Sequence, residues 1–157
     1  MSFEFTPENL KKFNSLVERY AEKQAAMLPA LWLAQEQNGW ISPEVMKYVG
    51  TLLEVSPSKV YEVVTFYTMF HQEPIGKYHF QVCRTLSCQL CGSEAVTGLL
   101  KKRLGIQAGE TSQDGRYTLS EVECLGSCGT APMLQLNDDY HENLTEEKLN
   151  SLIDSLE

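Results

Sequence analysis

The chain has 157 residues, 43% of them hydrophobic and 22% charged, with a formal net charge of −8. That length suits one medium domain or two small ones, and the composition suits a soluble globular protein. The negative balance argues against nucleic acid as a partner, because phosphate contacts need a basic face.

No apolar run approaches the ~18 residues of a membrane span. The start, MSFEFTPENLKKF, lacks the apolar stretch of a signal peptide. The chain therefore reads as cytoplasmic, with thiols kept reduced and no direct insertion into a membrane. The charge is uneven: 121–157 holds nine acidic residues and one basic one, Lys148.

Helix start signals repeat through the first half. Thr6-Pro7, Ser42-Pro43 and Ser56-Pro57 each pair an N-cap hydroxyl with proline at the first helical position, where a missing N–H costs nothing. After Thr6-Pro7, the residues Leu10, Phe13, Val17 and Tyr20 share one face at helical spacing. A second helix is expected over 23–38, with Met27, Leu28, Leu31 and Ala34 inward and Gly39 as its stop. Pro29 lies inside it, which predicts a lost ladder bond and a kink or late start. The third helix uses Val45, Met46, Val49, Leu52 and Leu53, and the fourth uses Val60, Val63 and Val64. The aromatic stretch after it, with Phe66, Tyr67, Met69 and Phe70, reads mainly as core, with part left to face a neighbour.

The segment 72–77, with Pro74 and Gly76, marks a boundary. Strands are expected at 78–82, 117–123 and 133–136, with a short fourth near Tyr140, and helices at 92–103 and behind an N-cap at Thr145. This predicts an α+β chain: a four-helix region over 1–74, then a small α/β sandwich of thioredoxin-like order over 75–157.

All five cysteines lie in that second part, in VCRTLSCQLCG (Cys83, Cys88, Cys91) and ECLGSCGTAP (Cys124, Cys128). Each group follows a predicted strand. Reduced thiols at strand ends point to a metal site rather than disulfides. Cys83, Cys88 and Cys91 match the plant-type spacing for a [2Fe–2S] cluster, with Cys124 as fourth ligand. The preferred set is Cys83 and Cys88 with Cys124 and Cys128, because each loop then supplies a pair for one iron. It also gives Cys128 a purpose between Gly126 and Gly129, which let backbone N–H groups approach the sulfurs. A zinc site on Cys88, Cys91, Cys124 and Cys128 fits less well, because zinc usually takes shorter knuckle spacings. A redox pair at Cys88 and Cys91 would leave three thiols unexplained.

CLGSCGTAP, preceded by DGRYTLSEVE, resembles the second ligand loop of the thioredoxin-like [2Fe–2S] ferredoxin subunit of NADH:quinone oxidoreductase, the bacterial respiratory complex I. VCRTLSCQLCG resembles the first ligand loop, and KQAAMLPALWLAQEQNGWIS and VYEVVTFYTMFHQEPIGKY resemble the helical region. Tyr117 stands where that family usually has Phe, and Cys91 matches none of its ligand positions. The resemblance implies one [2Fe–2S] cluster on Cys83, Cys88, Cys124 and Cys128. It also implies a flavoprotein partner carrying FMN and the NADH site, and a place in the peripheral arm of a membrane-bound complex. The same module occurs in NAD-linked formate dehydrogenases and multisubunit hydrogenases.

No residue of the chain reads as catalytic by itself, since neither a dinucleotide fingerprint nor a phosphate loop is present. His71, His79 and His141 read as ordinary polar residues, because a Rieske centre needs two histidines on one iron. The expected function is one-electron transfer within an oxidoreductase complex, with 1–74 as a docking domain. A zinc-stapled interaction module is the rival from another class. The acidic balance leaves a helix-turn-helix reading of the third and fourth helices unsupported.

Overall fold

Four helices occupy the first half: α1 (Pro7–Val17), α2 (Met27–Asn38), α3 (Pro43–Leu53) and α4 (Pro57–Phe66). The computed structural model describes residues 3–156. Three of these helices start as the hydroxyl–proline pairs require. Thr6, Ser42 and Ser56 accept hydrogen bonds from the N–H groups of Asn9, Val45 and Lys59, which satisfies donors that have no partner inside the helix.

Pro29 is the third residue of α2, and a 3-10 turn over Lys23–Ala26 precedes it. Its place in the first turn means that no ladder bond is lost, so the expected cost is absent and the late start is realised. Gly39 closes α2 in the left-handed conformation at φ 83°. Tyr20 departs from expectation, because α1 ends at Val17 and Tyr20 lies exposed beyond it.

The chain divides into two compact units, Met1–Pro74 and Ile75–Glu157. In the first, Leu31, Ile41, Val45, Val49, Leu53 and Val60 are buried among the helices. Gln35 is a buried polar residue with both ends satisfied: its amide donates to the Met69 carbonyl at 2.9 Å, and its oxygen accepts from the His71 N–H at 2.7 Å. These bonds pin the chain after α4 against α2. Of the aromatic stretch, only Phe70 enters the core fully; Met69 packs partly against it, while Phe66 is 76% exposed. The core expectation fails for Phe66 because α4 ends there and the chain turns away.

The second unit runs β1 (Tyr78–Cys83), α5 (Leu86–Leu90), α6 (Ser93–Leu104), β2 (Tyr117–Val122), β3 (Leu134–Leu136), β4 (Asp139–His141) and α7 (Glu146–Asp154). The sheet order is β2-β1-β3-β4. β1 and β2 are parallel, while β3 pairs antiparallel with β1 and with β4. The parallel pair needs a crossover, and α6 lies within it. Phe80, Leu100, Leu119, Leu134 and Leu149 form the buried centre.

The register has a direct consequence for the cysteines. Cys83 pairs with Val122 at the last rung of the parallel ladder. Both thiol-bearing loops therefore leave the same edge of the sheet.

Candidate metal centre

Cys83 ends β1 and Cys88 lies in the middle of α5; each is only 2% exposed. They pack with Met133, Leu125 and Ala131 in a small cluster at the strand ends. The N–H of Cys83 donates to the Met133 carbonyl at 3.4 Å, which ties the first loop to the start of β3.

The two loops converge through the Cys83 sulfur. Burial opposes ionisation of this thiol, but hydrogen bonds from the Thr85 hydroxyl, the Leu125 and Thr85 backbone N–H groups and the Cys88 thiol outweigh it. Cys83 is held below the usual thiol range as a result. Leu125 follows Cys124 directly, so one of these donors comes from the second loop. Cys88 behaves oppositely. Burial first, then its hydrogen bond to Cys83, push it up to about 11, with smaller contributions from the charges of Cys83 and Cys128. The Met133 N–H offsets part of this rise. The two thiols share a hydrogen bond, so the pair favours one negative charge over two.

Cys124 and Cys128 lie exposed in the loop after β2. The Gly126 N–H donates to the Cys124 sulfur at 3.4 Å, with Gly126 at φ 82°, a conformation that favours glycine. Cys128 opens a single 3-10 turn, Cys128–Thr130. The five thiols are free of disulfides. Among the described residues, no three His, Cys, Asp or Glu side chains stand in an arrangement for a single metal ion. The donor chemistry fits a two-iron cluster, with thiolates from two facing loops and backbone N–H groups already aimed at three of the sulfurs. Cys91 caps the C-terminus of α5 and is exposed.

Residues 13–157 match the family described as thioredoxin-like [2Fe-2S] ferredoxin. The chain belongs to the thioredoxin-like [2Fe–2S] ferredoxin family. Its relatives include subunits of NADH-quinone oxidoreductase. The one from Rickettsia felis is 47% identical over 156 residues, covering 98% of this chain and 93% of its own. Another, from Rhizobium meliloti, is 46% identical over 145 residues, covering 92% and 86%. A crystal structure of an NAD+-reducing [NiFe]-hydrogenase in the air-oxidised state shares the fold at TM-score 0.74 and 21% identity. That match covers 87% of this chain and about a quarter (24%) of the hydrogenase chain.

Sequence reading missed the groups that hold the second loop. Tyr140 donates its hydroxyl proton to the Leu125 carbonyl at 2.8 Å. Glu142 accepts from the hydroxyls of Ser127 and Thr130, the latter at 2.6 Å. Tyr140 lies in β4 and Glu142 directly follows it, but nothing local in the sequence says which loop these side chains meet.

Elsewhere, His79 is buried and its Nε2 lies 2.8 Å from the Ser120 hydroxyl across the β1–β2 pair. This is a sheet contact remote from the strand-end loops.

Proposed function

We propose that the chain is the electron-transfer subunit of an NADH dehydrogenase complex of the respiratory type, and that Cys83, Cys88, Cys124 and Cys128 hold one [2Fe–2S] cluster. The observation that supports this set is the parallel β1–β2 pair, which brings both cysteine loops to one sheet edge, where Leu125 of the second loop packs with Cys83 and Cys88 of the first. When bound, such a cluster exchanges one electron at a time, and the proposed exchange partner is FMN on a flavoprotein subunit that oxidises NADH. The helical unit is proposed as the docking domain for that subunit.

The chain's own contribution is to hold and tune. Burial at Cys83 and Cys88 keeps water from the inner sulfurs. The N–H groups of Leu125, Thr85, Met133 and Gly126 point positive ends at thiolate sulfur, which stabilises negative charge there. Among the described residues, no helix is long and apolar enough to cross a membrane. The proposal includes a place in the peripheral arm of a membrane-bound complex.

Purification of the full chain tests the reading. A red-brown protein with two irons and two sulfides, and an EPR signal only after reduction, is expected. A colourless protein containing zinc would refute it. The acidic stretch over 121–157 disfavours the further negative charge that reduction adds. EPR potentiometry should therefore place the midpoint near or below the value of about −400 mV typical of plant-type ferredoxins; a midpoint well above that defeats the electrostatic argument.

A further inference from the structure

We infer that Glu142 and Tyr140 are positioning residues for the second cysteine loop, and through it for the cluster. The inference rests on the reading that Cys124 and Cys128 hold iron.

The loop over 124–131 has little regular structure of its own. It contains the left-handed Gly126, the further glycine Gly129 and one short turn. A glycine-rich segment of this kind has many conformations to lose, whereas two sulfurs on one iron must stay in place to a few tenths of an ångström.

The edge strand β4 and the residues after it supply the restraint. Tyr140 holds the carbonyl of Leu125, the residue directly after Cys124, at 2.8 Å. The Glu142 Oε1 atom receives the hydroxyls of Ser127 and Thr130, which bracket Cys128. Those two hydroxyl oxygens are 2.7 Å apart, so one carboxylate oxygen closes the turn from both sides. The backbone continues the same seam: Asn143 N–H donates to the Thr130 carbonyl at 2.7 Å and Leu144 N–H to the Pro132 carbonyl at 3.0 Å.

An ionised carboxylate only accepts hydrogen bonds, and here both neighbours have a proton to give. Neither Tyr140 nor Glu142 is itself a proposed ligand. Their role is to keep the sulfurs of Cys124 and Cys128 where the irons need them, the usual task of groups one layer out from a metal.

The test uses the full chain loaded with iron and sulfide, as wild type, Glu142→Ala, Glu142→Gln and Tyr140→Phe. Two readouts are taken: the EPR g values of the reduced cluster, and the rate of cluster loss to an iron chelator. Glu142→Ala should lose its cluster about tenfold faster, with shifted g values. Glu142→Gln retains an acceptor oxygen and should restore both toward wild type. Tyr140→Phe, which deletes a single hydroxyl, should move both in the same direction by less.

Amide exchange in the metal-free chains gives a readout independent of the cluster. Residues 127–130 should open faster in Glu142→Ala than in Glu142→Gln. A wild type that takes up no iron and sulfide overturns the ligand assignment, and this inference with it. A loaded wild type matched by Glu142→Ala in g values and lifetime overturns the positioning role alone. Should Glu142→Ala not fold, unchanged g values and lifetime in Tyr140→Phe overturn it instead.

Discussion

Cys91 and Cys128 separate the two ligand arrangements that the cysteine spacings permit. Cys91 completes the plant-type trio and caps the C-terminus of α5. Cys128 lies between two residues tied to Glu142, Ser127 and Thr130. Cys91→Ser should therefore retain the cluster with unchanged EPR, while Cys128→Ser should lose it or alter its spectrum; the reverse pattern restores the plant-type set. The spacing made Cys83 and Cys88 legible as a candidate pair, because they stand five positions apart in one stretch of sequence. Tyr140 and Glu142 were not legible, because their partners sit 12–15 residues away on a different loop.

A second residue gives a pH dependence. His71 is half-buried, and that burial lowers its pKa from the ordinary 6.5. As pH falls, the unfolded chain takes up this proton before the folded chain does. Its stabilising contribution is thus complete above about pH 6.5 and declines as pH falls from there through the lower folded value. Thermal unfolding of the full chain at pH 7.5 and pH 5 should show a larger loss for wild type than for His71→Gln. Equal losses would remove His71 as the cause.

At the scale of elements, Gly76 shows how closely the second unit is built where it begins. A Cβ there would lie 2.8 Å from backbone atoms of Arg116 and Tyr117. Neither is a side chain that can swing aside, and both sit at the entry to β2, whose first rung is Tyr78 against Tyr117. Gly76→Ala should destabilise the chain by about 1–3 kcal/mol, measured by denaturant unfolding with the cluster absent. A change close to zero would mean that the strand entry shifts freely.

The helices that sequence reading placed correctly include those with a local signal: a hydroxyl–proline start for α1, α3 and α4, a glycine stop for α2 and the Thr145 hydroxyl cap of α7. α5 escaped it because LSCQL spans only 5 residues, too few to display an amphipathic period. The sheet order was beyond local reading too. Pairing Tyr78 with Tyr117 joins residues on either side of a helix, and no residue near either strand encodes that register.

For the whole molecule, the question is why an electron carrier should have a helical unit at all. The cysteines, their N–H donors and the Glu142 tether all belong to Ile75–Glu157, which has its own buried centre. The helical unit has a separate core and displays aromatic surface. Phe66 and Tyr61 on α4 are 76% and 54% exposed, and Trp32, Phe70, Tyr67 and Phe66 form a chain of ring contacts leading outward. Aromatic side chains left exposed in this way are costly in a free monomer and are preferred anchors in protein interfaces.

The proposed docking role follows, with two expectations. Removing residues 1–74 should leave cluster content and EPR unchanged but abolish co-purification with the flavoprotein. The milder Phe66→Asp and Tyr61→Asp substitutions, at positions that contribute little to the core, should weaken association by about 2 kcal/mol, roughly thirtyfold in Kd. An equal change at Gln113, exposed on the cluster-bearing unit, serves as control for added charge. Undiminished co-purification of the truncated chain would assign docking to the cluster-bearing unit, where Leu86 and Leu90 on α5 are the large apolar side chains left exposed beside Cys88.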